Sequence, residues 1–444
     1  MDTKSRARTW WPTIALGILA LLAPMHTFGQ AAPQPTAQPA TQAAPGPLPT
    51  RITLDDAIDL ALKHNHSLQA ARTTILQNQA LEITANLRPN PTINWDTQFL
   101  PLFQPNDFTL DYLNNSAQFD LGLGYTLERG KKRQHRLQAA KDQTAVTTAQ
   151  IGDNERTLTF NVASQFIDAL LAQSNLELAE TNLSSFQQSL DVSQEKFKAG
   201  AMSEGDLLKI KLQMLQFQMD VSNARIAHVQ ALASLRQLLG YESVSESYAV
   251  DGQLEYNSVT AGQDDLKALA LRQRPDLRAA QSGVTAAQSQ LELAKANGKH
   301  DLNTSFNYSH VGAVNSGAFF FNIQLPIFDR NQGEIARTRY AITQSQDLSS
   351  EQASIVLTDV ANAYELVRTN DQVVQLYQSG YLKQAQDSRD ISQYAYQRGA
   401  ASLLDFLDAE RSYRATELAY RQSLASYMTS LEQLRQAVGT RSLP

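Results

Sequence analysis

The chain has 444 residues, a formal net charge of −6 and no cysteine. The acidic balance argues against nucleic-acid binding, which needs a basic face. The missing thiol excludes disulfides, thiolate metal sites, cysteine nucleophiles and the lipid-accepting cysteine of a bacterial lipoprotein.

The chain opens like a signal peptide, expected over residues 1–29. Lys4, Arg6 and Arg8 supply its positive start, Trp10 to Ala23 its apolar run, and Thr27-Phe28-Gly29 small residues near a cleavage point. The apolar run is short of the roughly 20 residues that span a membrane as a helix. No later segment is long and apolar enough, so any membrane span of the exported protein must be made of strands. Residues 30–50 are rich in Ala, Gln, Pro and Thr and read as a disordered tail.

The fold begins with a short helix. Thr53 and Asp56 have the spacing of a capping box, and Leu54, Ile58, Ala61 and Leu62 follow at helical intervals. A second helix is predicted from about Ser67 to Leu87. The period then changes from 3.6 to 2. Ile93, Trp95, Thr97 and Phe99 alternate with polar residues, as do Phe119, Leu121, Leu123, Tyr125 and Leu127. No proline occurs from Asn106 to Arg274, and proline costs about 3 kcal/mol inside a helix. A helix on the order of 100 Å is therefore expected from about Lys131 to Ala199, with Gly152 as its one local irregularity. Glu128, Arg129, Lys131, Lys132 and Arg133 read as its solvated start. Gly200 breaks it, and Ser203 with Asp206 restarts a return helix as a capping box, ending at Gly240.

The same order then recurs. LDDAIDLALKHNHSLQAA from Leu54 aligns on QDDLKALALRQRPDLRAA from Gln263 with eight identities in eighteen. FKAGAMSEGDLL from Phe197 aligns on YQRGAASLLDFL from Tyr396. The expected organisation is repeat 1 over 51–240, a linker over 241–262 and repeat 2 over 263–440. Repeat 1 holds about ten extra residues, in a loop-like stretch between Phe99 and Gly130. In repeat 2, Pro275 suits a helix start. The strands carry Thr304, Phe306 and Tyr308, then Phe319, Phe321, Ile323, Leu325 and Ile327, with Phe320 interrupting. The long arm runs from about Gln332 to Arg398, Gly399 is the break, and Ser402 with Asp405 is the second capping box.

Four amphipathic strands cannot close a membrane barrel, yet edges cannot be left open in lipid. Two chains would give an eight-stranded barrel filled by its own side chains, whereas three leave a lumen. A homotrimer is expected. Its fold class is mainly α with a membrane β part: an α-helical barrel continuous with a shared twelve-stranded β-barrel, four strands per chain.

These features resemble the TolC-type outer-membrane efflux proteins, from about Thr53 to Gly439. Tyr396 to Tyr413, YQRGAASLLDFLDAERSY, is the most family-like segment, and its wording is most similar to the branch serving heavy-metal pumps. The resemblance implies an outer-membrane duct with its helical tube in the periplasm. Its partners would be a periplasmic adaptor (membrane-fusion) protein, an inner-membrane pump of the resistance-nodulation-division type and outer-membrane lipid. The alternatives are a type I protein-secretion duct and a periplasmic coiled-coil scaffold or adaptor without a barrel.

The resemblance further implies that Asp405 and Asp408 ring the periplasmic constriction, where stacked carboxylates favour cations. Asp405 is equally explained as a helix cap, because Asp206 occupies its place in repeat 1; Asp408 faces Lys209 in the repeat alignment and is not. Ala401 departs from the arginine some members carry there. Gly200, Ala201, Met202 and Ser203, with Gly399, Ala400, Ala401 and Ser402, are the expected adaptor-docking tips. Ser203, Asp206, Ser402 and Asp405 are their expected helix caps. Trp95, Phe99, Phe119, Tyr125, Phe306, Tyr308, Phe319 and Phe321 read as lipid anchors. His64 and His66 point to different helix faces and read as surface residues, not metal ligands; His300 and His310 read as interfacial. No catalytic motif is present, so neither enzymatic activity nor a cofactor is expected.

Overall fold

The structure is a computed structural model that describes residues 50–98, 106, 108–258, 260–312 and 314–443. The expected signal peptide, all but the last residue of the tail, and Phe99 lie outside the described residues.

Repeat 1 contains β1 (Arg51–Ile52), α1 (Leu54–His64), α2 (His66–Ala85), β2 (Thr92–Gln98), α3 (Leu110–Asn115), β3 (Gln118–Leu127), α4 (Lys132–Lys198) and α5 (Glu204–Leu239). After β4 (Ala249–Val250) come α6 (Gln263–Gln273), α7 (Pro275–Asn297), β5 (Leu302–Val311), β6 (Val314–Ile323) and α8 (Gln332–Leu376). A π-helical turn (Tyr377–Tyr381), α9 (Leu382–Gln397) and α10 (Leu403–Val438) complete the chain. The capping box at Thr53 and Asp56 forms, and its hydrogen bonds hold the Asp56 carboxyl below its usual range. β1 pairs with β4 in parallel, tying the start of the fold to the linker.

The other strands form one antiparallel sheet in the order β2-β3-β5-β6. Register places Trp95, Leu121 and Tyr308 in one row, and Ile93, Leu123, Phe306 and Phe319 in the next. Asn94, Gly122, Asn307 and Ala318 occupy the opposite face. One face is thus aromatic and apolar, the other polar or small, as period-2 alternation requires. Gly122 is needed there: a Cβ would lie 2.4 Å from the Asn307 side-chain oxygen.

Three expectations need correction here. β6 ends at Ile323, because its partner β5 begins at Leu302 and the ladder has no further partner; Leu325 and Ile327 lie beyond it. The loop-like insertion contains α3, started by the Thr109 hydroxyl accepting from the Tyr112 amide at 3.1 Å. The charged segment before α4 is tied down. Lys132 pairs with Asp301 at 2.9 Å with only 12% of its side chain exposed, and Arg136 pairs with Glu128 at 2.8 Å.

The long arms differ in a way the glycines explain. α4 runs unbroken through Gly152, which packs beside Pro275; a Cβ would sit 3.4 Å from that ring, an ordinary contact. The irregularity is instead in repeat 2, where Gly380 adopts a φ of 131° in the π-helical turn. Leu158, Val162 and Phe166 align on Val356, Val360 and Tyr364 with an offset of 198, but Phe197 and Gly200 align on Tyr396 and Gly399 with an offset of 199. One residue is therefore inserted between these points, and a π turn absorbs one residue without rotating the helix beyond it. Val162 and Val360, ahead of the turn, occupy equivalent buried positions in their own cores.

Each repeat has its own core near the middle of the molecule. Ala61, Phe166 and Leu235 belong to the first, and Ala270, Val360 and Leu434 to the second. An ionic network stitches the repeats together. Arg156 on α4 donates to the Gln436 carbonyl at 2.7 Å, near the end of α10. Arg274, 3% exposed, binds Asp276, Asp359 at 2.8 Å and the Ala437 carbonyl at 3.2 Å. Burial pulls the Asp276 carboxyl up, but Arg274, Arg156 and the Leu277 amide outweigh it and hold it below its usual range.

Replacing Arg274 by Met strands two carboxylates, one of them Asp276 at half burial. The expected loss is about 3 kcal/mol, read as a lowered midpoint in thermal unfolding of the detergent-solubilised protein. Lys383→Ala, which breaks an exposed pair with Asp387, should change the midpoint little.

Candidate functional site

The candidate site is the end of the molecule where both long hairpins turn. Each arm stops in the same way. Gly200, at φ 74°, donates to the Phe197 carbonyl at 2.9 Å, and Ala201 donates to the Lys196 carbonyl at 2.9 Å. Gly399, at φ 78°, donates to the Tyr396 carbonyl at 3.1 Å, and Ala400 to the Ala395 carbonyl at 2.8 Å. This pair of bonds satisfies the last helix carbonyls and needs a left-handed residue. A Cβ at Gly200 or Gly399 would meet nothing within 4 Å, so the tips stand clear of the rest of the chain. Ala201, Ser203, Ala400 and Ser402 are exposed, Ala401 is half-buried, and Met202 packs against the apolar cluster behind the tips.

The return helices start differently. Ser402 and Asp405 form a complete capping box, with the Asp405 carboxylate accepting from the Ser402 amide at 3.2 Å and hydroxyl at 2.7 Å. At the first tip the Ser203 hydroxyl accepts from the Asp206 amide at 3.1 Å, but no backbone bond returns to Asp206, so the capping box expected at this tip is only half made. There Lys209 donates to Asp206 at 3.1 Å, and the hydrogen bonds from Ser203 and Lys209 hold that carboxyl below its usual range. Lys209 thus neutralises the first tip's aspartate. Its counterpart Asp408 adds a second negative charge instead, exposed, with Arg411 3.5 Å away.

Behind the tips the two hairpins are fastened by stacked rings. Phe186 on α4 lies 4.5 Å from Phe217 on α5 and 6.2 Å from Phe406 on α10, and Phe406 lies 5.2 Å from Tyr396 on α9. Lys196 donates to the Tyr396 carbonyl at 2.8 Å, crossing from one hairpin to the other. Sequence reasoning missed this stack. Its only signal was Phe406 falling one position after Asp405, about 100° further round the helix.

Glu410 was also missed. It lies on α10 with 7% exposure and makes no hydrogen bond among the described residues. The charges facing it are Arg389 and Asp390 from α9 and Arg414 from its own helix. Both arginines are engaged elsewhere. Arg389 binds Asp390 at 2.6 Å and covers the Tyr413 ring, while Arg414 binds Asp220 of α5 at 2.8 Å and covers the Phe217 ring. Burial therefore wins over these cations and pushes the Glu410 carboxyl above its ordinary range.

The histidines are dispersed. His66 lies 3.2 Å from Glu242, His300 3.2 Å from the Asp329 carbonyl and His310 2.7 Å from Asn315. Among the described residues no three His, Asp or Glu side chains gather as a metal site. Trp95, Phe319 and Phe321 are about 70% exposed in the isolated chain. Phe306 and Tyr308 are about 40% exposed, and Phe119 and Tyr125 are half-buried.

A family model described as "Outer membrane efflux protein" matches residues 57–241 and 266–440. The chain is 28% identical over 323 residues to the cation efflux system protein CusC of Escherichia coli K12, covering 68% of this chain and 66% of that one. It is 23% identical over 385 residues to the cobalt-zinc-cadmium resistance protein CzcC of Cupriavidus metallidurans, covering 85% and 86%. A crystal structure of CusC superposes with a TM-score of 0.73 at 20% identity, covering 90% of this chain and 96% of that one.

A carboxyl whose pKa is raised by folding binds its proton more tightly in the folded state. Its contribution is most favourable below the ordinary glutamate range and is lost as pH rises through the folded value. Glu410→Gln should therefore raise the melting temperature at neutral pH, with the gain shrinking as pH is lowered toward 4. Melting curves recorded across that pH range check the sign.

Proposed function

This chain belongs to the outer membrane efflux protein family, and from that premise we propose that it is the outer-membrane exit duct of a tripartite efflux system. Three copies enclose one channel, which passes substrates from an inner-membrane pump of the resistance-nodulation-division type and its periplasmic adaptor to the exterior. The observation that carries this reading is the four-stranded sheet. It has one apolar face, and both its edge strands, β2 and β6, lack a second partner among the described residues. Such a sheet is stable in lipid only when other copies complete the ring.

The helices support the same assembly. On α5, Leu208, Leu212, Leu215, Met219, Ile226 and Val229 are each at least 50% exposed. Their spacings of four, three, four, seven and three residues are those of a coiled-coil seam. Ile391 and Tyr394 of α9 and Leu376 of α8 form a second exposed apolar stripe, suited to face the first in a neighbouring copy. Side-chain burial of two such stripes offsets the ordering of long helices.

Cations are the favoured cargo. The names of the relatives CusC and CzcC concern cation efflux and metal resistance, and the second tip carries two carboxylates, Asp405 and Asp408, where the first has Asp206 and Lys209. A trimer would stack two carboxylate rings at the periplasmic entrance, which favour cations and oppose closure by mutual repulsion. The tips Gly200 to Ser203 and Gly399 to Ser402 are the proposed docking points for the adaptor, since their small side chains permit close backbone approach.

Single-channel recording tests the duct and the gate together. The wild type should conduct and show block by multivalent cations, and the double variant Asp405→Ala, Asp408→Ala should lose most of that block. Unchanged block would remove the aspartates from the gate, and absence of any pore would end the duct reading. Gly399→Trp should abolish export in cells while crosslinked trimers still form. Normal export by that variant would exclude tip docking.

A further inference from the structure

We propose that the groove between α4, α5 and α10, beside the aromatic stack, binds a compact amphipathic organic anion: a ring-sized apolar body with one acidic group and one N–H or O–H donor. The groove measures about 610 Å³, a volume typical of small-molecule sites. Leu178, Phe217 and Leu418 form its apolar wall, and alanines on all three helices leave the space open.

Small residues alone would mean only loose packing. Two amides on α4 argue for an occupant. Asn182 lines the groove with 6% exposure and makes no hydrogen bond among the described residues. Asn175, seven residues earlier on the same face, has its side-chain oxygen buried without a partner. An unsatisfied buried amide oxygen is destabilising by about 1–3 kcal/mol, so Asn175, with Asn182 a heptad away on the same groove wall, is not explained by packing. The duplication supplies an internal control. The positions of Asn175 and Asn182 in repeat 2 are held by Val373 and Tyr381. The hairpin architecture is thus built without amides at these places, and their presence in repeat 1 has another cause.

The ligand's charge follows from the mouth of the groove. Arg411 lies there with 79% of its side chain exposed and only Asp408 at 3.5 Å beside it. Arg414, deeper in, is committed to Asp220. An acidic group would meet Arg411, a donor would satisfy Asn175, and Asn182 would give and accept. Asp408, Arg411, Ala415 and Leu418 follow one another on a single face of α10 at spacings of three, four and three residues. The groove therefore opens on the face that carries Asp408, and this inference rests on the duct reading to the extent that Asp408 lines the channel. An anion resting there would sit just inside the proposed gate.

The test uses the full-length trimer and the probe 5-aminonaphthalene-1-sulfonate, which has a ring body, an acidic group and an N–H donor. In planar bilayers the probe should block the wild-type current transiently. Ala179→Phe, which fills the groove, and Asn182→Leu should each weaken block about tenfold, with the probe-free conductance unchanged. Arg411→Gln should weaken it similarly for the sulfonate but not for uncharged 1-aminonaphthalene. Fluorescence anisotropy of the probe, with protein held in amphipol, measures the same affinities without requiring a pore. Equal anisotropy-derived affinity for wild type and Ala179→Phe would overturn the proposal, whatever the currents show. A chain that fails to conduct but whose probe binding is lost in Ala179→Phe would overturn the duct reading and leave the site standing.

Discussion

The structure depends on one requirement of backbone chemistry: peptide N–H and C=O groups must be hydrogen-bonded wherever water is excluded. The sheet β2-β3-β5-β6 meets it internally and leaves two edges over. Its aromatic face suits lipid, so those edges cannot be hydrated. The proposed trimer follows from this shortage of partners, and the long helices inherit its geometry. A ring of strands shared among three chains commits the helices leaving it to a ring as well. The apolar seam on α5, unpartnered within the chain, fits that arrangement.

Within one chain, duplication supplies near-equivalent halves, and the molecule keeps them in phase. The pairs Val162 and Val360, and Gly200 and Gly399, occupy matching places although their offsets differ by one. The π-helical turn at Gly380 takes up that residue between the core and the tip. Where the halves depart from one another, chemistry accumulates. Lys209 faces Asp408, Asn182 faces Tyr381, and the ionic cluster around Arg274 has only Asn65 in the corresponding place. Asn65 still performs part of the same task. It donates to the Leu238 carbonyl at 2.9 Å, as Arg274 does to Ala437.

The end bearing the tips combines a rigid element with a compromised one. Stacked rings from four helices hold the hairpins together, while Glu410 is buried among them without a hydrogen bond. Removing a carboxylate from water without a partner is costly, so this packing is weaker at neutral pH than at acid pH. The proposed constriction would gain from such a weakness, since a tip packed only by apolar side chains would have no charge opposing its closure.

Much of the fold was legible in the residues because the signals were local. Thr53 with Asp56 and Ser402 with Asp405 announce helix starts within four residues, Gly200 and Gly399 announce stops, and alternation such as Ile93-Trp95-Thr97 announces strands. Other features were hidden because they depend on partners far away in the chain. Gly152 looked like a local irregularity but is a point of contact with Pro275, and Leu325 looked like strand but has no facing residue on β5. Lys132 looked solvated until Asp301 closed on it.

By itself, then, the sequence determined the kinds of element, their order and their duplication, since propensity, capping and periodicity act over a few residues. Tertiary structure alone decided strand register, the burial of Phe406 and Glu410, the unpartnered amides of Asn175 and Asn182, and the role of Gly380. Burial and pairing are set by residues tens to hundreds of positions apart, and no local pattern encodes which of them will meet.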